Sequence, residues 1–333
     1  ATALKTLEAL PHKADDLVSK TVLNGSENRP AWHVLSRLGA KGRDAASQAA
    51  ADFLHAEFAR MADWVDRLVQ DAGPEGLDIC KGDGYLDYRR LLERKDIDAV
   101  LIATSDHWHA KVAIDALEAG KHVYVEKPMT HTIPQALALR DTVRKTKLVL
   151  QVGPQATGDD CYWQAHEAIK SGRIGKPTWA QASYNRNART CLFNEHQKID
   201  PTAGPDKTGE DFIDWNLWLG YEWDLAPKIP WTPDHYFRFR KYWPYSGGVA
   251  TDLLYHKLAP LLIALAGPDG EYPKRVNASG GLYIEKDGRD IPDTFLMTVD
   301  YPSEYTVFLV STLTNDMQVP ERIYGKYGTM DLG

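Results

Sequence analysis

The feature that most constrains this sequence is a set of three short apolar segments that alternate with two helical patterns. The apolar segments span residues 97–104, 122–125 and 148–153, and the helical patterns span 111–119 and 135–146. A segment that is apolar at nearly every position is typical of a strand buried on both faces. Strands that alternate with helices form a parallel sheet with right-handed crossovers. The sequence therefore predicts an α/β fold over this region.

Charged and polar residues directly follow two of these strands. Glu126, Lys127 and Pro128 come after the second strand, and the segment 105–109, which reads Ser-Asp-His-Trp-His, comes after the first. A hydroxyl cap at Thr132 then predicts the start of the next helix. In an open α/β sheet the ligand lies beyond the carboxyl ends of the strands. We therefore expect these residues to form part of a ligand site at one edge of the sheet.

The length of 333 residues is too great for one ordinary hydrophobic core, so two domains are predicted. We predict an N-terminal extension over residues 1–31, a Rossmann domain with a doubly wound parallel sheet over 32–152, and an α+β domain over 153–333. The last of these carries four strand-like segments whose alternation suits an antiparallel sheet: 179–185, 275–281, 294–300 and 305–312.

Composition and charge exclude several classes of function. The net charge is −7 with both signs interspersed, so no nucleic-acid surface is predicted. No run of about 18 apolar residues is present, so no membrane span is predicted. Cys80, Cys161 and Cys191 are odd in number and far apart, which argues against a disulfide framework and against a structural zinc site, and no metal is predicted. No signal peptide is recognisable after Ala1, so we expect a cytoplasmic protein, although a cleaved export signal would leave a similar start.

A glycine turn upstream has the context of a dinucleotide-binding fingerprint. Segment 31–35 predicts a strand and segment 44–53 a helix, with Gly39 and Gly42 between them. Such a turn holds the pyrophosphate of a dinucleotide. Arg37, however, stands where the first glycine of the fingerprint belongs, and an ordinary glycine loop would show the same pattern.

Asp63 lies about 20 residues beyond this turn, where an acidic residue bonds the ribose hydroxyls of NAD and repels the 2′-phosphate of NADP. Asp63 also suits the N-cap of a helix over residues 64–70, and one residue could serve both purposes. The pattern favours NAD over NADP.

Aromatic residues are concentrated between residues 211 and 245. Half of the ten tryptophans lie there, and large flat rings with a polar handle suit the faces of sugars or a wet interface. The same rings would also serve as core or subunit contacts. The five tryptophans of this segment are Trp215, Trp218, Trp223, Trp231 and Trp243. We predict substrate contacts from Arg240, Trp243 and Tyr255.

Gly247 and Gly248 open an apolar stretch that predicts a single helix to about residue 266. Asp252 and His256 are four residues apart and would share one face of that helix. Buried polar groups need partners, so one interpretation is that the two side chains bond each other and stabilise the helix. The other interpretation joins them to Lys127 in an acid–base cluster, in which burial and charge move pKa values towards neutrality.

These motifs together resemble the Gfo/Idh/MocA family, the glucose–fructose oxidoreductase and inositol dehydrogenase group. The resemblance covers residues from about 33 to 330, and its specific parts are 103–109, 119–128 and Gly247-Gly248 with Asp252 and His256. It implies an N-terminal Rossmann domain and a C-terminal domain with a large, open, mostly antiparallel sheet that commonly forms a homo-oligomer interface. Family members usually continue beyond the point at which this sequence ends.

The resemblance also implies roles for individual residues. Lys127 would contact the nicotinamide end of the cofactor and the substrate hydroxyl, where its charge favours an alkoxide. His256 would be the general acid/base, and Asp252 would orient the substrate or the histidine. The implied cofactor contacts are Gly39, Gly42 and Asp63 at the pyrophosphate and adenosine ribose, and Thr104, His109 and Glu126 at the nicotinamide ribose, with Pro128 shaping the turn.

The leading hypothesis is an NAD-dependent oxidoreductase that transfers a hydride between nicotinamide and a secondary hydroxyl of a sugar, glycoside or cyclitol. A second hypothesis keeps the cofactor but gives net glycoside cleavage through transient oxidation of the sugar and elimination. The form Glu126-Lys127-Pro128 resembles the dehydrogenase branch more than the glycosidase branch. A third hypothesis is a non-catalytic sugar- or nucleotide-sensing protein, which Arg37 favours, because a fold alone does not determine function.

Overall fold

The structure, a computed structural model, describes residues 85–187, 193 and 198–332. The predictions for the N-terminal extension, for the glycine turn and for Asp63 lie outside the described residues. The elements in chain order are α1 (Tyr88–Leu92), β1 (Ala99–Ile102), α2 (Asp106–Glu118), β2 (His122–Glu126), α3 (Ile133–Thr146), β3 (Leu150–Gly153), α4 (Asp160–Lys170), β4 (Pro177–Ser183), α5 (Trp215–Leu219), α6 (Pro233–Phe237), α7 (Gly248–Asp252), α8 (Tyr255–Ala266), β5 (Arg275–Gly281), β6 (Thr294–Asp300), β7 (Thr306–Thr312), β8 (Arg322–Gly325) and β9 (Thr329–Asp331).

The first sheet confirms the prediction of parallel strands with helical crossovers. It has the order β1-β2-β3, and both neighbouring pairs are parallel. Ile102 stands beside Val125 in the register, and Glu126 stands beside Gly153. Because parallel neighbours end at the same edge, the segments that follow β1 and β2 leave this sheet together. Strands β1 and β3 are shorter than the predicted segments 97–104 and 148–153, whereas β2 extends one residue beyond the predicted 122–125.

The helices after β1 and β2 both start with a polar turn. Helix α2 begins at Asp106, five residues before the predicted start, so the segment 105–109 lies in its first turn rather than in a separate loop. Helix α3 begins with a reciprocal cap, as its hydroxyl predicted. The amide of Gln135 donates to the Thr132 hydroxyl at 3.4 Å, and the Gln135 side-chain oxygen accepts from the Thr132 amide at 3.0 Å.

The second sheet has six strands in the order β5-β6-β7-β4-β8-β9. All neighbours are antiparallel except β4 and β7, which are parallel, so the sheet is mixed but mostly antiparallel, as expected. Its buried face carries Ala180, Val307, Leu309 and Ile323, all fully buried. Strands β8 and β9 were not predicted, because strands of four and three residues are too short to show an alternating pattern.

The prediction of a single helix from Gly248 to residue 266 is wrong. The chain forms α7, a turn at Leu253 and Leu254, and then α8. In a continuous helix the amide of His256 would donate to the carbonyl of Asp252. That amide instead donates to the Leu253 carbonyl at 3.1 Å, and Lys127 Nζ donates to the Asp252 carbonyl at 3.1 Å. Asp252 and His256 therefore do not share a face of one helix.

The described residues belong to two compact units. One contains residues 85–103, Val112–Glu126 and Leu139–Asp160, and the other contains Thr104–Lys111, Lys127–Ala138 and the chain from Cys161 onwards. The segments that directly follow β1 and β2 thus belong to the second unit. A domain boundary near residue 152 stays a prediction. In the part of the chain that the structure describes, no helix is both long enough and apolar enough to cross a membrane.

Candidate active site

Lys127 and Asp252 form the ion pair around which the candidate site is built. Lys127 Nζ bonds Asp252 Oδ1 and also donates to the Asp252 backbone carbonyl. Arg240 Nε approaches the other carboxylate oxygen, Asp252 Oδ2, at 3.3 Å. The side chains are largely buried, with exposed fractions of 13% for Lys127 and 6% for Asp252. One buried carboxylate therefore holds two cations, one from the turn after β2 and one from the turn before α7.

The charge state of Asp252 follows from these partners. Burial opposes its ionisation, but the charges of Arg240 and Lys127 outweigh burial and hold the pKa of Asp252 below its usual value. Asp252 is therefore a carboxylate near neutral pH. The interpretation that Asp252 and His256 bond each other is wrong, because no hydrogen bond joins their side chains among the described residues and the carboxylate is occupied by the two cations.

His256 lies at the start of α8 and is neutral near pH 7. Burial lowers its pKa, the positive charge of Lys127 lowers it further, and the negative charge of Asp252 only partly opposes them, which leaves a pKa of about 4. Its ring meets the ring of Tyr184 edge to face, with 5.6 Å between centroids. The neutral imidazole has a free lone pair, so His256 can accept a proton.

Asp106 is a second buried carboxyl group, and no individual role was predicted for it. The Ser246 hydroxyl donates to Asp106 Oδ2 at 2.9 Å, and the amide of Gly248 donates to Ser246 Oγ at 3.2 Å. Burial raises the pKa of Asp106, and the negative charge of Asp252 raises it further. The position of Asp106 directly after β1 was the available signal, because the polar segment 105–109 was already predicted to lie at the ligand edge.

His109 ties together the two segments that follow β1 and β2. Its Nδ1 lies 2.6 Å from the carbonyl oxygen of Pro128, and its Nε2 lies 3.0 Å from that of Thr104. The ring is buried, so His109 fixes these turns in this arrangement, and its contact with a ribose stays a prediction. Thr104 is exposed, and Glu126 is partly buried at the end of β2. Contacts of Thr104, Glu126 and Pro128 with a cofactor also stay predictions.

The predicted substrate contacts have different surroundings. Trp243 has an exposed fraction of 46%, and its amide donates to Asp290 Oδ1 at 2.8 Å. Tyr255 is partly buried, and burial raises the pKa of its hydroxyl. Arg240 is engaged with Asp252. Of the three, Trp243 presents the most open ring surface to a ligand.

Most of the aromatic residues between 211 and 245 form a hydrophobic core. Trp215, Tyr242 and Tyr245 are buried in one cluster, and Trp218 and Trp231 pack against it. Trp223 lies outside this cluster, and its ring meets that of Trp108 edge to face, with 5.5 Å between centroids. Core packing is therefore the correct interpretation for most of these rings. Among the described residues, no group of His, Cys, Asp and Glu side chains is arranged to hold a metal ion.

Comparisons with known proteins agree with this architecture. Residues 33–154 match the model of the oxidoreductase family GFO_IDH_MocA, described as an NAD-binding Rossmann fold. The chain is 31% identical over 160 residues to scyllo-inositol 2-dehydrogenase (NAD(+)) of Bacillus subtilis, which covers 48% of this chain and 42% of that protein. It is 48% identical over 144 residues to glycosyl hydrolase family 109 protein 1 of Shewanella sp. (strain ANA-3). That match covers 43% of this chain and 30% of that protein.

The chain thus spans less than half the length of these curated relatives. Among solved structures, the WlbA dehydrogenase from Bordetella pertussis in complex with NADH and UDP-GlcNAcA has a TM-score of 0.52 at 20% identity, covering 73% of this chain and 62% of that one. A likeness at this identity supports the fold. The motifs, the parallel sheet and the larger mixed sheet agree with the Gfo/Idh/MocA family of oxidoreductases, and residues 33–154 match the model of its NAD-binding Rossmann fold.

Proposed function

We propose that this protein is an NAD-dependent oxidoreductase that transfers a hydride between nicotinamide and a secondary hydroxyl of a sugar, glycoside or cyclitol. The observation that carries the proposal is the largely buried ammonium of Lys127, held by Asp252, whose charge acts directly on the neutral His256. A cation in a poorly solvated site stabilises a developing alkoxide far more than it would in water. A neutral imidazole nearby supplies the base that oxidation of an alcohol requires.

The three side chains have distinct parts in this chemistry. Lys127 stabilises the substrate oxygen as negative charge develops on it, and His256 accepts the hydroxyl proton. The positive charge of Lys127 lowers the pKa of His256, so negative charge on the substrate oxygen opposes that effect. His256 therefore becomes a better proton acceptor as the hydroxyl proton leaves, and the resulting alkoxide becomes a carbonyl when the hydride leaves its carbon. Asp252 fixes Lys127 in place, and nicotinamide, when bound, accepts the hydride.

We propose NAD rather than NADP as the cofactor, because the carboxylate of Asp63 would repel a 2′-phosphate.

A ring-shaped polyol or sugar is the substrate class that the relatives support. One relative is a scyllo-inositol dehydrogenase, and WlbA is a dehydrogenase whose structure contains UDP-GlcNAcA. Both molecules carry secondary hydroxyl groups on a six-membered ring. The exposed ring of Trp243 supplies an apolar surface of the kind that stacks on such a substrate.

The test is to add NAD to the purified protein with a panel of inositols, hexoses, uronic acids and glycosides, and to follow absorbance of the reduced cofactor. Lys127→Ala should lower kcat by about 10²-fold or more, because the charge that stabilises the alkoxide is lost. Lys145→Ala is the matched control, since Lys145 is an exposed lysine on α3, with 77% of its side chain accessible. Absence of turnover with every alcohol, together with absence of nucleotide binding, would reject the proposal.

A second candidate function is glycoside cleavage through transient oxidation. The observation that favours it is the 48% identity over 144 residues to a glycosyl hydrolase family 109 protein. Such an enzyme reduces its cofactor and then oxidises it again, so no reduced cofactor accumulates. Aryl glycosides incubated with the protein without added NAD would release the aglycone in this case. In deuterated water the product would also gain deuterium at a ring carbon next to the oxidised one, which a simple dehydrogenase would not cause.

A further inference from the structure

The connection between β5 and β6, residues 282–293, is fastened to the candidate site by buried charges. Lys241 is almost completely buried, and its Nζ lies 2.7 Å from Asp287 Oδ2. Arg289, equally buried, holds the same carboxylate with two bonds, from Nε to Oδ1 and from Nη2 to Oδ2, each of 2.7 Å. Burial opposes ionisation of Asp287, but Arg289 and Lys241 hold its pKa far below the usual range. Asp287 is therefore ionised and fixed between two cations.

Backbone bonds reinforce this attachment. The carbonyl of Lys241 accepts from the amide of Asp290 at 3.1 Å and from that of Ile291 at 3.2 Å, and Asp290 accepts from the amide of Trp243. At the base of the loop, the buried carboxylate of Asp293 accepts three successive backbone amides, at 2.7 to 2.9 Å, from Tyr283, Ile284 and Glu285. The 282–293 loop is thus held both at its base and at its contact with Lys241.

The same loop also contacts the start of α7. Ile291 is fully buried, and a Cβ atom added at Gly248 would lie 2.3 Å from Ile291 Cγ2. Lys241 is adjacent in the chain to Arg240, and Gly248 begins the short helix that ends at Asp252. The loop therefore touches both segments that deliver the Arg240–Asp252 contact, without contributing a side chain to that contact.

Buried ion pairs are a poor source of stability, because loss of hydration offsets most of the attraction. Their geometry is nevertheless strict, especially when a guanidinium holds a carboxylate with two parallel bonds. A buried Lys–Asp–Arg group is consequently better suited to hold a segment in one register than to stabilise the fold.

We infer that Asp287 is a positioning residue: through Lys241 and the 282–293 loop it sets Arg240 against Asp252, and so fixes the partner of Lys127. The inference rests on the function proposed above. Loss of Asp287 leaves Lys241 with only its longer ion pair, to Asp234 Oδ1 at 3.8 Å, and loosens the turn that carries Arg240. Asp252 then loses part of its compensating positive charge and presents more negative charge to His256. Displacements of about 1 Å at a reacting centre can lower rates by 10²-fold.

The experiment compares Asp287→Asn with Asp287→Glu and with the control Arg275→Gln. Arg275 pairs with Asp300 at 2.7 Å on the same two strands, but its side chain is 71% exposed. The first measurement is the NMR titration of the His256 ring, assigned by its absence in His256→Gln, which needs no turnover. In Asp287→Asn the pKa of His256 should rise by about half a unit or more. Arg275→Gln should leave it unchanged.

The second measurement is steady-state kinetics with a substrate deuterated at the reacting carbon. Asp287→Asn should lower kcat about 10-fold or more and increase the isotope effect, with the Kd for NAD unchanged, because hydride transfer is slowed and cofactor binding is not. Asp287→Glu should recover part of kcat, since it keeps the charge. A folded Asp287→Asn protein with the His256 titration and kcat of the unsubstituted protein would overturn the inference.

If Asp287→Asn does not fold, the fully apolar variant Lys241→Met/Asp287→Leu/Arg289→Leu decides, because it leaves no unpaired buried charge among these three residues. If this variant folds and the pKa of His256 differs from that of the unsubstituted protein, the inference is supported. If the pKa of His256 is unchanged, the inference is rejected. The two proposals fail separately. If no alcohol is oxidised but the titration still shifts, the proposed function is wrong and the positioning by Asp287 stands.

Discussion

At the scale of single residues, Asp252 is the centre of the candidate site. Its carboxylate holds Lys127 on one oxygen and Arg240 on the other, and its backbone carbonyl accepts a further bond from Lys127. Asp252 therefore fixes the Lys127 ammonium group in position for the proposed chemistry. His256 is kept neutral by burial and by Lys127, so cation and base coexist in one site.

The low pKa of His256 predicts a particular dependence of stability on pH. Its pKa is about 4 in the folded chain and about 6.5 in the unfolded chain. Between these values the unfolded chain binds a proton that the folded chain does not, so the free energy of unfolding falls as the pH is lowered from about 6.5 to 4. For a partly accessible group we expect a loss of roughly 2 kcal/mol.

Urea denaturation between pH 7 and pH 4.5 measures the total loss in the free energy of unfolding, and His256→Gln should make that loss smaller by roughly 2 kcal/mol. His107 and His235, whose pKa values burial also lowers, contribute to the loss that remains in both proteins. Asp106 and Asp252 are present in both proteins, so their contributions to the pH dependence of the free energy of unfolding cancel to first order. Identical pH profiles for the two proteins would contradict the prediction.

At the scale of elements, the break between α7 and α8 shapes the site. Lys127 takes the carbonyl that would have continued the helix, and the chain turns at Leu253 and Leu254 before α8 begins. The break places Asp252 at the last position of a short helix rather than in the middle of a long one. Gly248, at the other end of α7, has a φ of +63° and lies directly against Ile291. Helix α7 is therefore constrained at both ends.

Two glycines with nearly the same backbone allow a test of this constraint. Gly248 and Gly270 have φ values of +63° and +62°, but only Gly248 has a neighbour within 4 Å of an added Cβ. Gly270→Ala should lower the free energy of unfolding by about 1 kcal/mol, because a residue with a side chain is strained in the left-handed conformation. Gly248→Ala should cost about 2–4 kcal/mol, because its Cβ also collides with the buried Ile291. Chemical denaturation measures both, and equal losses would show that the contact with Ile291 is unimportant.

At the scale of the whole molecule, the outer face of the six-stranded sheet carries apolar side chains among polar ones such as Gln181 and Thr298. Trp179 stacks on Tyr324, with 4.1 Å between ring centroids, and stands next to β7. Phe308 and Val310 follow on the same face of β7, and Leu296 of β6 pairs with Val310. Trp179 is exposed and the other apolar residues of this patch are partly buried, and neighbouring aromatic and aliphatic residues on an accessible surface are typical of protein interfaces. We therefore propose that this face joins copies of the chain in a homo-oligomer.

Light scattering coupled to size-exclusion chromatography tests the oligomer. Trp179→Glu should shift the protein to a smaller species, because an ionised carboxylate at the centre of an apolar interface would be buried without a partner. Tyr272→Glu is the control, since Tyr272 is also an exposed aromatic residue, with 86% accessible, but lies before β5 and outside the sheet. A monomeric parent protein, or equal behaviour of the two variants, would exclude this interface.

Much of this architecture was predictable from local patterns. Alternating apolar segments and helices predicted the parallel sheet, and the position of Lys127 after a buried strand placed it at the ligand edge, because strand ends follow from chain direction alone. The strands β5 and β6 were predicted at their observed bounds, since seven residues are enough to show a pattern. Strands β8 and β9 were missed because so few residues carry no pattern of their own.

The partners of the charged residues were decided only by the tertiary structure. The spacing of Asp252 and His256 is that of a shared helix face, yet Lys127, 125 positions earlier in the chain, takes the carbonyl and the carboxylate of Asp252. Arg240 pairs with Asp252, and the charge of Asp252 also acts on Asp106. Lys241 and Asp287 form a further ion pair that is buried from solvent. Hydrophobic periodicity reports how each element faces the core. Long-range ion pairs depend on which polar groups are buried together, and no local pattern records that.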